Sequence, residues 1–139
     1  MADTVLRQPV GKPFWYRYTF TDVDGSDIDD TPNAITISSR GFVWDTLTWD
    51  AGSNVDMNLR IWDEGRGESF STSRINLAGL DDNLPLPLPV WYPFKPNSAI
   101  RLEIENDGST DNAVVTVILG GFEPSAPLLR KLLAEYDAG

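Results

Sequence analysis

Five carboxylates crowd around one glycine in Asp22-Val23-Asp24-Gly25-Ser26-Asp27-Ile28-Asp29-Asp30. Hard cations take several oxygen ligands from a tight loop, which makes Asp22, Asp24, Asp27, Asp29 and Asp30 a calcium candidate. The helix–loop–helix calcium pattern wants acids at its first, third and fifth positions, glycine at the sixth and a closing bidentate Glu. Gly25 comes too early for it, the Glu is missing, and no helical periodicity flanks the loop. A solvated acidic hairpin loop is the plainer reading, and no metal is assigned.

The other carboxylate pair is Glu103 and Glu105. Two-residue spacing on one strand face sets them about 7 Å apart, within the range of an inverting glycosidase. Charged residues on the wet face of a strand are ordinary, however, and nothing else converges on this pair. The chain has no histidine and no cysteine. That removes the usual general base, the activated nucleophiles, disulfides and thiolate metal sites together. Gly120-Gly121 alone is neither a phosphate loop nor a dinucleotide fingerprint. The expectation is a protein that is not an enzyme and carries no cofactor.

The formal charge of −10 on 139 residues disfavours nucleic acid, whose phosphates are held by Lys and Arg. The first residues lack the apolar run of a signal peptide, and no stretch approaches a membrane span. Neither nucleic acid nor membrane is expected as a partner.

The elements that must position these residues read as strands. Ala99–Asn106 alternates strictly, with Ile100, Leu102 and Ile104 opposite Arg101, Glu103 and Glu105. Residues 113–119 are β-branched and apolar on both faces, as in a covered central strand. The Asn/Asp/Gly-rich segment 106–112 between them predicts a turn, and the two strands an antiparallel hairpin. Residues 14–20 place Phe14, Tyr16, Tyr18 and Phe20 on one face. Further strands are expected at 34–39, 42–49 and 55–62, the last leaving Trp62 on its polar side. Leu84-Pro85-Leu86-Pro87-Leu88-Pro89 cannot sit in a central strand, because proline lacks a ladder donor. It is either a ligand for a proline-binding domain or, as preferred here, a protected sheet edge.

Residues 1–13 read as an N-terminal arm and 14–122 as one sandwich. Residues 123–139 form a helical extension with Ser125 as N-cap and Pro127 in the first turn. Leu128, Leu129, Leu132, Leu133 and Tyr136 make its apolar stripe, which must dock on its own domain or on a neighbouring subunit. About eight strands at spacings of roughly 8–13 residues predict an all-β, jelly-roll-like antiparallel β-sandwich with a short C-terminal helix.

Five tryptophans are many for this length. If two or three are exposed and coplanar, a carbohydrate-binding module follows. If aromatics and termini instead grip neighbours, the protein is structural, and Trp15, Trp62, Trp91, Phe94 and the helix stripe are the interface candidates.

The run Trp15-Tyr16-Arg17-Tyr18-Thr19-Phe20, then Gly41-Phe42-Val43-Trp44, Pro-Leu-Pro, Trp91-Tyr92-Pro93-Phe94, Pro96-Asn97-Ser98 and the closing Val115-x-Val117-x-Leu119-x-Gly121 resembles the small jelly-roll decoration, or cement, proteins of tailed-bacteriophage heads. The likeness spans about residues 14 to 122. It implies a homotrimer on the capsid exterior, assembled in the host cytoplasm and bridging subunits of the major capsid protein. No catalytic residue is implied. The acidic loop and the C-terminal helix match nothing in that pattern; a tail or baseplate component is the remaining variant.

Overall fold

The computed structural model describes residues 11–51, 56–77, 84–109, 111 and 113–138. Among them the alternating segments form β1 (Gly11–Val23), β2 (Ile28–Thr36), β3 (Phe42–Asp50), β4 (Met57–Asp63), β5 (Glu68–Ser69), β6 (Ile75–Asn76), β7 (Leu86–Phe94), β8 (Ala99–Asn106) and β9 (Ala113–Pro124), followed by α1 (Ala126–Ala138). They build two antiparallel sheets, in the orders β1-β9-β3-β7 and β2-β8-β4-β5, with β6 also on β4. The pairs β1·β9, β2·β8, β3·β7 and β4·β5 nest inside one another like the rungs of one long hairpin. The ladders β3·β9 and β4·β8 close that hairpin into a roll. This is the jelly-roll winding, which the sequence predicts.

The predicted hairpin of Ala99–Asn106 with residues 113–119 is not formed. Each strand already spends both hydrogen-bonding edges elsewhere: β8 on β2 and β4, β9 on β1 and β3. The turn between them therefore crosses from one sheet to the other. Asn106 holds it there, its buried Nδ2 donating to Val23 O at 3.0 Å and its Oδ1 accepting from Gly108 N. Nor is β9 covered on both faces, since Val114 is 51% exposed.

The core lies between the sheets. Phe20, Phe42, Phe94, Ile100, Leu102, Ile104, Val117 and Leu119 lose essentially all their exposure there. The inward ring row on β1 works as the alternation predicts: Tyr16 meets Phe42 edge-on at 4.8 Å, and Phe42 stacks on Phe94 at 6.3 Å. Edge-on aromatic contacts of this kind add about 0.5–1.5 kcal/mol beyond area burial.

In β3 a bulge falls between Trp44 and Thr46. The extra residue shifts the parity by one. Trp44 and Trp49, an odd number of positions apart, consequently both pack against the core. The bulge also needs Gly121 opposite it, because a Cβ there would collide with the Val43 carbonyl oxygen.

The proline segment from Leu86 onward is the edge strand β7, paired with β3 alone. Residues 11–13, assigned to the arm, belong to β1, where Gly11 pairs with Pro124; the rest of that arm, and Val55, lie outside the described residues. No described helix is long and apolar enough to cross a membrane.

Candidate functional site

The acidic cluster is divided between three elements. Asp22 belongs to the end of β1, and Asp29 and Asp30 to β2, leaving Asp24-Gly25-Ser26-Asp27 as the loop. That loop is tied down by backbone: Asp27 N donates to Asp24 O at 3.1 Å, Ser26 N to Asn106 O at 2.7 Å, and Gly25 N to Asp111 Oδ1 at 3.1 Å. Asp24 and Asp27 point to solvent. The side chains of Asp22 and Asp30 lie outside the described residues. Among the described residues no group of three acids is placed to hold a metal ion.

Glu103 and Glu105 do share the outer face of β8, but both are engaged. Arg74 Nε donates to Glu103 Oε2 at 2.8 Å, Arg74 also lies 3.9 Å from Glu105, and Asn58 Nδ2 donates to Glu105 Oε1 at 2.9 Å. Glu103 is buried by this arrangement. A carboxylate screened by a bound guanidinium is poorly placed to reach a substrate proton.

The aromatic candidates separate by strand parity. Trp15, 64% exposed, and Trp91, 46% exposed, stand on the outer face of the β1-β9-β3-β7 sheet. Trp15 lies over Gly120, where a Cβ would press on its ring, and Trp91 meets Phe122 edge-on at 5.1 Å. Trp62 is half-buried on the other sheet beside Arg60 and Arg101, whose guanidinium carbons lie 4.7 and 4.6 Å from its ring centre. Phe94, an interface candidate from the sequence, is a core residue with no exposure, because it shares the inward parity of Tyr92.

The helix docks on its own domain. Ser125 caps it, with its Oγ accepting from Leu128 N at 3.4 Å. Leu129 is buried over Gly41, whose φ of +76° and lack of Cβ both suit the contact. Leu128, Leu132 and Leu133 are half-buried.

Tyr136 reaches a polar cluster that sequence inspection misses. Arg66 Nη1 donates to Asp63 Oδ2 at 3.0 Å, to Tyr92 Oη at 2.9 Å and to Pro93 O at 2.8 Å. Tyr92 Oη donates to Asp63 Oδ2 at 2.7 Å, and Tyr136 Oη to Glu68 Oε2 at 2.6 Å. The Arg66 guanidinium lies 4.4 Å from the Tyr136 ring centre, and its Nε is 3.5 Å from Asp137. Burial and the Asp63 hydrogen bond push the Tyr92 phenol well up, while burial opposes the Arg66 charge but Tyr92, Asp63 and Asp137 more than restore it. The signal was present in the alternation, since Asp63 continues the inward parity of Met57, Leu59 and Ile61. An acid at an inward position asks for a buried cation. The cluster pins α1 to the β4–β5 turn.

No family model matches the chain, and no curated protein matches it. Among solved structures it is similar to a chain in "Structure of infectious bursal disease virus Gx strain", with a TM-score of 0.38 and 16% identity. The match covers 84% of this chain and 34% of that one, so this chain spans about a third of its length. A likeness at that score carries no argument about function.

Proposed function

We propose that the chain is a structural virion protein: a decoration protein, without catalytic activity, that binds the outside of a phage head as a homotrimer and bridges neighbouring subunits of the major capsid protein. The observation that carries the reading is the outer face of the β1-β9-β3-β7 sheet. Trp15, Trp91 and, at 51% exposure, Val114 stand on that face open to solvent, each at an outward position of its strand. Single exposed apolar residues are ordinary, whereas two tryptophans on one sheet are the residue type that anchors protein interfaces. The self-docked helix leaves this face, rather than the helix stripe, to grip a neighbour. The patterning shared with small phage cement proteins adds to the reading, and the net negative charge suits a protein kept away from packaged DNA.

A sugar platform has less support. Trp15 lies over Gly120 and Trp91 packs edge-on against Phe122, so each ring leans on β9 and no flat pair of stacked rings is formed by contact between the two. Light scattering on the purified chain, with co-sedimentation on phage heads, tests the proposal. A trimer that sediments with heads is the expected result. A monomer that ignores heads and is retained on glycan beads overturns it.

A further inference from the structure

The two sheets do not close evenly. On one side β7 runs nine residues, but the strand facing it across the core is broken into β5 and β6 of two residues each. Phe70 N still donates to Ile61 O on β4 at 3.0 Å, and the break follows in Ser71-Thr72-Ser73, where serine side chains bond to the backbone in place of a ladder. Ser71 N donates to Ser69 Oγ at 3.4 Å, and Ser71 Oγ donates to Ser73 O at 2.5 Å. Such local bonds compete with strand pairing. The gap they leave opens into a cavity of about 150 Å³ between the sheets.

Its walls are Trp44 and Leu88 from one sheet, Leu59 and Ile61 from the other, and Phe70 and Ile75 at the mouth. Phe70 and Ile75 are among the exposed large hydrophobics of the chain, at 36% and 37%, and the opening they flank accounts for that exposure. Phe70 is held in place by edge-on contacts to Trp44 at 5.1 Å and Tyr92 at 4.5 Å. Phe70 thus packs as part of the wall and gives the mouth an aromatic side.

We propose that this cavity is a binding site for one small apolar molecule the size of a single aromatic ring. Size and lining choose the occupant. A volume of about 150 Å³ lined by Leu, Ile and Phe is of the size that admits benzene or xenon, and here the space is open to solvent at its mouth, which gives the ligand a way in. The polar atoms in the wall are already engaged, Trp44 Nε1 with Thr46 O at 2.6 Å and Ser71 as described, so a polar ligand would lose its water without compensation. A sugar is excluded on the same ground, which separates this site from any glycan reading of the tryptophans.

Benzene titrated into the intact chain tests it, read by melting temperature and by the NMR shift of the Trp44 indole N–H. A saturable rise in melting temperature with a matching Trp44 shift is expected, whereas imidazole, a polar ring, produces neither. Ile75→Phe at the mouth and, from the opposite sheet, Leu88→Phe in the wall take up the space the ring would occupy and should each weaken benzene binding by about tenfold or more. Xenon on the unaltered chain gives a further readout that needs no variant, through perturbed methyl signals of Leu59 and Ile61. The proposal is overturned if neither benzene nor xenon moves these signals, if imidazole binds as well as benzene, or if both filled variants bind benzene unchanged.

Discussion

Arg66 Nη1 lies 3.0 Å from Asp63 Oδ2, three residues earlier in the same turn, with the two side chains only 6% and 1% exposed. Removing one partner of such a pair leaves the other charge buried without compensation, which costs about 3–5 kcal/mol. Asp63→Ala should therefore lower the unfolding free energy by about that amount in urea titrations. Adding Arg66→Met to it should recover most of the loss, because no charge is then left stranded. An additive double variant would show that the pair does not act as a unit.

Three phenols are held above their ordinary range: Tyr92 by burial and its bond to Asp63, Tyr136 chiefly by its bond to Glu68, and Tyr18 by burial and the Asp29 charge. A group that holds its proton more tightly when folded stabilises the fold fully below its unfolded value, here about pH 10, and loses that contribution as pH rises through the folded one. Urea midpoints should fall with increasing slope above about pH 10. Tyr92→Phe should make that slope shallower. An unchanged slope would remove Tyr92 from the account.

Gly121→Ala drives a methyl group into the Val43 carbonyl oxygen, at the point where β3 bulges. Overpacking commonly costs about 1–3 kcal/mol, and a backbone obstacle belongs at the upper end or beyond. Gly67→Ala offers the contrast. Gly67 has φ of +67° but nothing near its missing Cβ, so only the milder backbone strain applies, about 1 kcal/mol. Thermal melts of the two variants should rank in that order.

Trp15→Ala removes an exposed ring from the outer sheet face. Its stability should stay within about 1 kcal/mol of the unaltered chain, while the proposed binding to phage heads should weaken several-fold or be lost. Phe94→Ala is the converse, destabilising by about 3–5 kcal/mol because it empties a core position. Comparing the two by melting and co-sedimentation separates a gripping surface from a packing one.

Calcium at millimolar concentration should leave the melting temperature unchanged. Asp24 and Asp27 face solvent, and the turn between them is already closed by backbone hydrogen bonds. A rise in melting temperature that saturates with calcium would reopen the acidic loop as a site.

Much of the sandwich was legible because strand alternation has a period of two. Met57, Leu59 and Ile61 face inward as their spacing requires, the proline run forms an edge, and Ser125 caps the helix. The same rule read one step further would have exposed Asp63 as a buried acid. It could not reveal that Trp44 and Trp49 share a face, because the bulge that brings them together depends on Gly121 in another strand. Arg66 was equally hidden, since a charged Gly-rich turn reads as solvent-facing until Tyr92 and the helix are laid over it.

The amino-acid order by itself determined which side of each strand is apolar, where proline and glycine forbid or permit a turn, and that a helix follows the last strand. Tertiary structure alone decided which strand lies beside which. Every strand presents the same N–H and C=O groups along its edges, so hydrogen bonding does not distinguish partners. That choice falls to the packing of side chains far apart in sequence. It sent Ala99–Asn106 and Ala113–Pro124 into opposite sheets and buried Arg66 beneath Tyr136.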